Sequence, residues 1–523
     1  MAISVDRTTP PDLRDTYARL EEKILERDQR AASQIFYGLV RAGRPLPELL
    51  GQIVRIHAPY THVPYHQRLD DGIVRFVNND HCLLSSRASV DLMKMLRPEL
   101  AYLPLAQTIW YLPTGLDPWN QLLGKMPGHY VRLYELKFEG KPPLPEVHWT
   151  DQAPLVIEGA FPEKLNAWLT LVQRGEVVNA YRVFLGLWEE AVGDEASRAQ
   201  LLAQLVFAGL IDVQDRMLHN RSYTTGHKSY RARATVELAR AVGWQNARSI
   251  LYAGVPDMAV GPRWHSTYEM GCLVVQNFLD GRDQDFVGND GALSSVESLA
   301  LIEAILSGEE PAFIDLIVAL VKAGKGLRQI IDTIQVASAQ VILETGNPNN
   351  YSMAQHSYEY CNNVRWFFDT FQHPHRLKLL FVAGAFVTRA SHHQRYTPEN
   401  GPTKIETPRG AEAMAQPQML QRLDEALMEL RAGEAVNWTA AYLQAGLDRA
   451  ALVETLATAA AKMGNDPHNQ ELGVCLLEDY AHSTAQDRDR LLLASAKHTA
   501  GHRKYGDPAE AYRRFAEAFD LAT

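Results

Sequence analysis

The chain of 523 residues has only four cysteines, Cys82, Cys272, Cys361 and Cys475. They stand far apart, with no C-x-x-C and no C-x-H pair. A disulfide framework, a zinc ribbon and a Rieske cluster are therefore unsupported. Each cysteine sits in an apolar helical pattern, which predicts buried free thiols and fits a reducing cytoplasm. Long apolar runs are scarce too. The run Leu379 to Val387 has nine residues, against about 20 for a membrane span. The opening stretch MAISVDRTTPPDLRDTYARLEEKILERDQR lacks the apolar core of a signal peptide. No arginine- or lysine-rich run occurs, and the formal net charge is −10. That argues against a nucleic-acid binder, which normally shows a basic face. No G-x-G-x-x-G follows a strand, and there is no P-loop, G-x-S-x-G or C-x-x-C-H. Nucleotide-fold enzymes, α/β hydrolases and covalent haem are unsupported. The expectation is a soluble cytoplasmic protein with no nucleic-acid or membrane partner.

What the chain does have is a recurring pattern. LVRAG (Leu39 to Gly43), LVFAG (Leu205 to Gly209), LVKAG (Leu320 to Gly324) and YLQAG (Tyr442 to Gly446) each read as a helix closed by glycine. Apolar-periodic stretches follow each of them. A histidine then stands just after a polar or Gly/Pro-containing break, at the start of the next helix. These are His81 in NNDHCLLSSRASVDLMKML, His227 in TTGHKSYRARATVELARAVGW, His356 in MAQHSYEYCNNVRWFFDTF and His468 in NDPHNQELGVCLLEDYAHS. Their spacings are 146, 129 and 112 residues. A break and a third helix come next. The pattern predicts an all-α fold of four divergent three-helix units around a common centre, in one large domain. The units span about 31–125, 195–270, 300–395 and 420–515. The alternating stretch PGHYVRLYELKFEGKPPLPEVHW predicts a short β-hairpin-like insertion within 126–165.

The histidines suggest chemistry. His356 and Glu359, and likewise His468 and Glu471, are three apart, so each pair shares a helix face. Di-iron and di-manganese helical proteins use the reverse order, Glu-x-x-His, on paired helices. Leu84 and Tyr230 occupy the glutamate positions of the other two units, so a shared site is asymmetric. A second histidine position recurs later in three units. His265 lies 38 residues after His227, His392 lies 36 after His356, and His498 and His502 lie 30 and 34 after His468. The candidate metal ligands are therefore His356, Glu359, His468 and Glu471 first, then His81, His227 and His265, with His392 and His502 behind them. The loop histidines His57, His62 and His66 either line the site entrance or belong to an aromatic surface loop, and the pair His373 and His375 reads as surface or capping residues. Imidazole and carboxylate donors favour iron or manganese, with zinc or non-covalent haem as alternatives.

The unit of histidine, helix, break, apolar helix and histidine resembles the histidine-rich helical modules of questin-oxidase-like proteins. It is also similar to helical modules found beside Rieske ferredoxin domains. The residues that carry this are GHKSYRARATVELARAVGW, QHSYEYCNN and HPHRLKLLFVAGAFV. The resemblance implies an oxidase or oxygenase acting on a small organic substrate, aromatic ones included. The missing C-x-H pair leaves a redox partner open. The expected function is a metal-dependent oxidoreductase. A metal-dependent hydrolase or lyase, and a non-enzymatic helical-repeat scaffold with scattered surface histidines, are the alternatives.

Overall fold

The computed structural model describes residues 11–61, 75–77, 81–115, 120–123, 130–132, 151–213, 226–259, 265–346, 351–395, 404–464, 467–501 and 507–521. Among them are 22 α-helices and three short strands, so the chain is all-α in class. No helix among these residues is long and apolar enough to cross a membrane. The strands form one antiparallel sheet, Arg75–Val77 against Asn120–Leu123 against Tyr130–Arg132. Only the last strand falls within the expected 126–165 insertion. Residues 133–150, with the Gly-Lys-Pro-Pro turn signal, lie outside the described residues.

Three of the four glycine-closed motifs end helices as expected. Gly43, Gly324 and Gly446 adopt φ of 68°, 81° and 66°, the left-handed region that glycine enters at little cost. Gly209 is different and corrects the reading of LVFAG. It sits inside the helix Glu195–Ile211. A Cβ there would come 2.7 Å from the Lys228 carbonyl oxygen. Its role is close helix packing, and the apolar run continues past it to Ile211.

Four helices form the centre: His81–Leu92, His227–Val242, Tyr351–Thr370 and Pro467–His482. They pack in a ring, each on the next. The histidines meet at one end of this ring. About two turns further along, Arg87, Arg233, Asn362 and Cys475 meet, and Glu237, Arg365 and Glu478 lie just beyond. Contacts at matched offsets from each histidine mean that the four helices run in the same direction. Helices outside the ring cover it. Leu103–Gly115 packs on the first inner helix, Glu195–Ile211 and Arg248–Gly254 on the second, Leu327–Glu344 and Lys378–Arg395 on the third, and Asp489–Gly501 on the fourth.

The inner helices look polar in sequence yet are buried, because their charges are paired inside. Lys228 bonds Asp212 at 2.5 Å, with side-chain exposures of 0% and 2%. Arg231 pairs with the equally buried Asp257. Arg87, Arg233 and Arg365 converge on Glu478 at 3.2, 2.7 and 2.9 Å. Arg365 and Asn362 also reach Asp479, at 2.6 and 2.9 Å. Unpaired, such charges would be very costly in a low-dielectric interior, so the array must hold together as a set. It forms an ionic floor beneath the histidines. Cys82, Cys361 and Cys475 are buried, Cys272 is half-buried, and all four thiols are free.

Candidate metal centre

His81 and His227 are the first residues of their helices, and His468 is the second of its helix. His356 lies in the second turn of Tyr351–Thr370. Gly226 makes the approach of the second and third helices possible. Its φ is +87°, and a Cβ there would meet the His356 carbonyl oxygen at 3.1 Å. Three helix N-termini thus end at one place, and their partial positive charge disfavours positive charge there, on imidazole or on an ion, unless a carboxylate offsets it.

One nitrogen from each of His81, His227 and His468 lies within 4.8 Å of the others, the one such group of three or more His, Cys, Asp or Glu among the described residues. The ring centroids of His81 and His468 are 4.6 Å apart, and those of His81 and His227 are 5.6 Å apart. His356 joins them, itself buried. Its Nε2 is 3.1 Å from His227 Nε2, and its ring centroid is 6.0 Å from that of His468. A 3.1 Å separation suits an N–H···N hydrogen bond between neutral rings. It also suits two ligands of one ion. With metal–nitrogen bonds of about 2.0–2.1 Å, ligand nitrogens are about 2.9 Å apart at a right angle and about 3.4 Å apart at a tetrahedral angle.

Two buried glutamates lie behind the imidazoles and differ from each other. Glu471 places both carboxylate oxygens 3.2 Å from His81 Nδ1 and accepts from Ser85 Oγ at 3.1 Å. Burial alone would raise its carboxyl, but His81, with help from His468 and His227, holds it below the ordinary glutamate range. A carboxylate on one imidazole nitrogen fixes the ring and turns the other nitrogen outward, as behind many metal-bound histidines. Glu359 has no such support. It is 1% exposed, and its Oε1 has no hydrogen-bond partner among the described residues. Burial and then the Glu471 charge push its carboxyl well above the ordinary range. Beneath them, Tyr230 Oη accepts from Arg87 at 3.0 Å and lies 4.0 Å from Cys475 Sγ. Tyr111 stands edge-on to His81 at 6.0 Å. His498 is fully buried behind His468, with Nε2 3.3 Å from its carbonyl oxygen.

Of the nine candidate ligands, His81, His227, His356, Glu359, His468 and Glu471 therefore come together. His265 is half-buried, just before the helix Ser266–Phe278, and is outside the imidazole group. His392 is exposed, close to Gly308, and is also outside it. His502, like His62 and His66, lies outside the described residues. His57 is buried against Thr61, with Nδ1 and Oγ1 3.3 Å apart. Asp479 and His482 are three apart in the carboxylate-first order of the di-iron proteins, yet they do not form a ligand pair. Asp479 accepts from Tyr358 at 2.9 Å, while His482 Nδ1 contacts the Glu478 carbonyl at 2.9 Å. The ionic floor went unread in the sequence, although Arg87 and Arg233 each stand six residues after their histidine.

No known protein family, curated protein or solved structure matches this chain.

Proposed function

We propose that the imidazole centre binds iron or manganese and that the protein is a metal-dependent oxidoreductase, of oxidase or oxygenase type, for a small organic substrate. The observation that carries this is the convergence of three imidazoles within 4.8 Å, with a fourth 3.1 Å from one of them. In this reading His81, His227 and His468 are the ligands and His356 is the fourth donor. Glu471 orients His81 and offsets part of the cation's charge. The metal, when bound, supplies electron transfer and oxygen activation. The helical ring excludes bulk water, and the arginine floor keeps the ligand helices in register. Four imidazoles, one of them backed by the Glu471 carboxylate, are one more than the three protein ligands of a catalytic zinc, which favours iron or manganese with positions left for oxygen or substrate. A redox partner or a reducing substrate completes the electron balance.

The three-imidazole group alone is also a catalytic zinc set, and that keeps a hydrolase or lyase as the second reading. A scaffold is less favoured, because four of the histidines are gathered rather than scattered. The test is anaerobic loading of the untagged chain with Fe(II), Mn(II) or Zn(II), followed by exposure to oxygen. The oxidoreductase reading expects iron or manganese at about one per chain, with a spectrum that changes on oxidation and returns with reductant. Preferential zinc binding with no redox response would replace it with the hydrolase or lyase reading.

A further inference from the structure

A second cleft lies well away from the imidazoles. It is formed by the helices Phe161–Arg174 and Glu195–Ile211, by Tyr268, and by the segment 372–375 that joins the third inner helix to the next. His373 follows the end of Tyr351–Thr370, and about 14 helical residues separate His356 from that end, roughly 20 Å of rise. The cleft has a volume of about 430 Å³, within the range of small-molecule sites.

Its chemistry is unusual for this chain. Of its fifteen lining residues, five are carboxamides and two are imidazoles, and none is Asp, Glu, Lys or Arg. Charged residues make up 22% of the sequence, so about three would be expected in a surface patch of that size. The wall is aromatic. Phe207 stacks on His373 with ring centroids 4.1 Å apart and a 26° interplanar angle, and Tyr268 meets Phe207 edge-on at 5.6 Å. His373 is fixed in one tautomer. Its Nδ1 accepts from the His375 backbone N–H at 3.2 Å, so Nε2 carries the proton toward Gln204 Oε1 at 3.3 Å. Burial, with His375 and Lys378 nearby, lowers the His373 imidazole to about 3, so the ring is neutral at physiological pH.

We infer that this cleft is a binding site for an uncharged, flat, amide-bearing or hydroxyl-bearing small molecule. Carboxamides offer donor and acceptor together, so they can read either group. Behind His375, Lys378 and Asp283 pair with each other at 3.0 Å, so a charged ligand would lose water in the cleft and find no counter-charge among its lining residues. The aromatic wall supplies a face for a planar body. The site stands whether or not the imidazole centre holds a metal.

The probes are 4-fluorobenzamide, 4-fluorobenzoate and 4-fluorobenzylamine, titrated into the full chain at neutral pH and followed by fluorine NMR. The amide is expected to bind saturably, with a dissociation constant on the order of 1 mM for so small a fragment. Both charged probes should bind at least about fivefold more weakly, since no lining residue carries an opposite charge. Gln200 is an exposed helical position, so Gln200→Glu should fold, and it should raise benzylamine affinity at least about threefold through the added opposite charge. Phe207→Leu should weaken the amide. Equal binding of all three probes, no saturation of the amide below about 10 mM, or indifference to Gln200→Glu would overturn the assignment.

Discussion

Glu478→Gln is the sharpest test of the ionic floor. The substitution keeps size and shape and removes one charge. Glu478 Oε1 accepts from Arg233 at 2.7 Å and Arg365 at 2.9 Å, and Oε2 accepts from Arg87 and Asn362 at 3.2 Å each. The three arginine side chains are only 1%, 1% and 3% exposed. Removing one partner of a buried ion pair typically costs about 3–5 kcal/mol, because the remaining charge stays desolvated. Glu237, Asp369 and Asp479 also neutralise these arginines, so the lower end of that range is expected. Even about 3 kcal/mol is a large share of a typical folding stability of about 5–15 kcal/mol. The control is Glu454→Gln. It breaks the exposed Arg97–Glu454 pair, with side chains 68% and 39% exposed, and should cost less than about 1 kcal/mol. Urea unfolding followed by far-ultraviolet circular dichroism compares the two. The pH dependence gives a second handle. Burial opposes ionisation of Glu478, but Arg233, Arg87 and Arg365 overcome it and hold the carboxyl well below the ordinary range. Its stabilisation is therefore present above the unfolded-state pKa and is lost as pH falls through the depressed native one. Glu478→Gln should remove that part of the acid dependence. A cost no larger than that of Glu454→Gln would refute the claim that the floor clamps the ring.

Three further outcomes follow from the structure. Glu471→Gln should weaken metal binding about 10- to 100-fold by loosening His81; chelator competition measures this, and an unchanged affinity would contradict the orienting role. Gly209→Ala should destabilise the chain by about 1–3 kcal/mol, since the new Cβ would press on the Lys228 carbonyl beside His227; an unfolding midpoint equal to that of the parent chain would contradict the packing argument. Below pH 6.5 the unfolded chain protonates His373 while the folded chain resists to about 3. Stability should therefore fall with acidification in that window, by at most about 2 kcal/mol at pH 5, and His373→Phe should flatten the slope.

The histidines were legible because chemistry and chain geometry coincide in them. Each stands after a break and at or near a helix start, and a repeated break fixes where successive helices begin. His356 and Glu359, or His468 and Glu471, could be placed on one face from spacing alone. The division of labour between the two glutamates was not legible. It depends on which imidazole each one faces across the ring, and His81 and Glu471 are 390 residues apart. The ionic floor stayed hidden for a different reason. Arginine and glutamate in a helix ordinarily mark a solvated face, and only the parallel ring turns Arg87, Arg233 and Glu478 toward one another. Gly209 was misread because a glycine after an apolar run marks either a helix end or a close approach, and sequence does not separate the two. His373 read as a surface or capping residue. It does accept a backbone N–H, but it also forms part of the aromatic wall of the second cleft.

Elemental analysis by mass spectrometry tests whether the imidazole centre holds a metal. It compares the chain, purified without a histidine tag or added metal, with a His81→Ala/His468→Ala variant of matching circular dichroism. Iron or manganese at about one per chain is expected in the parent, or uptake to that level on loading, with loss of it in the variant. A parent chain that neither contains nor takes up iron or manganese, or a variant that retains the parent's content, would contradict the assignment.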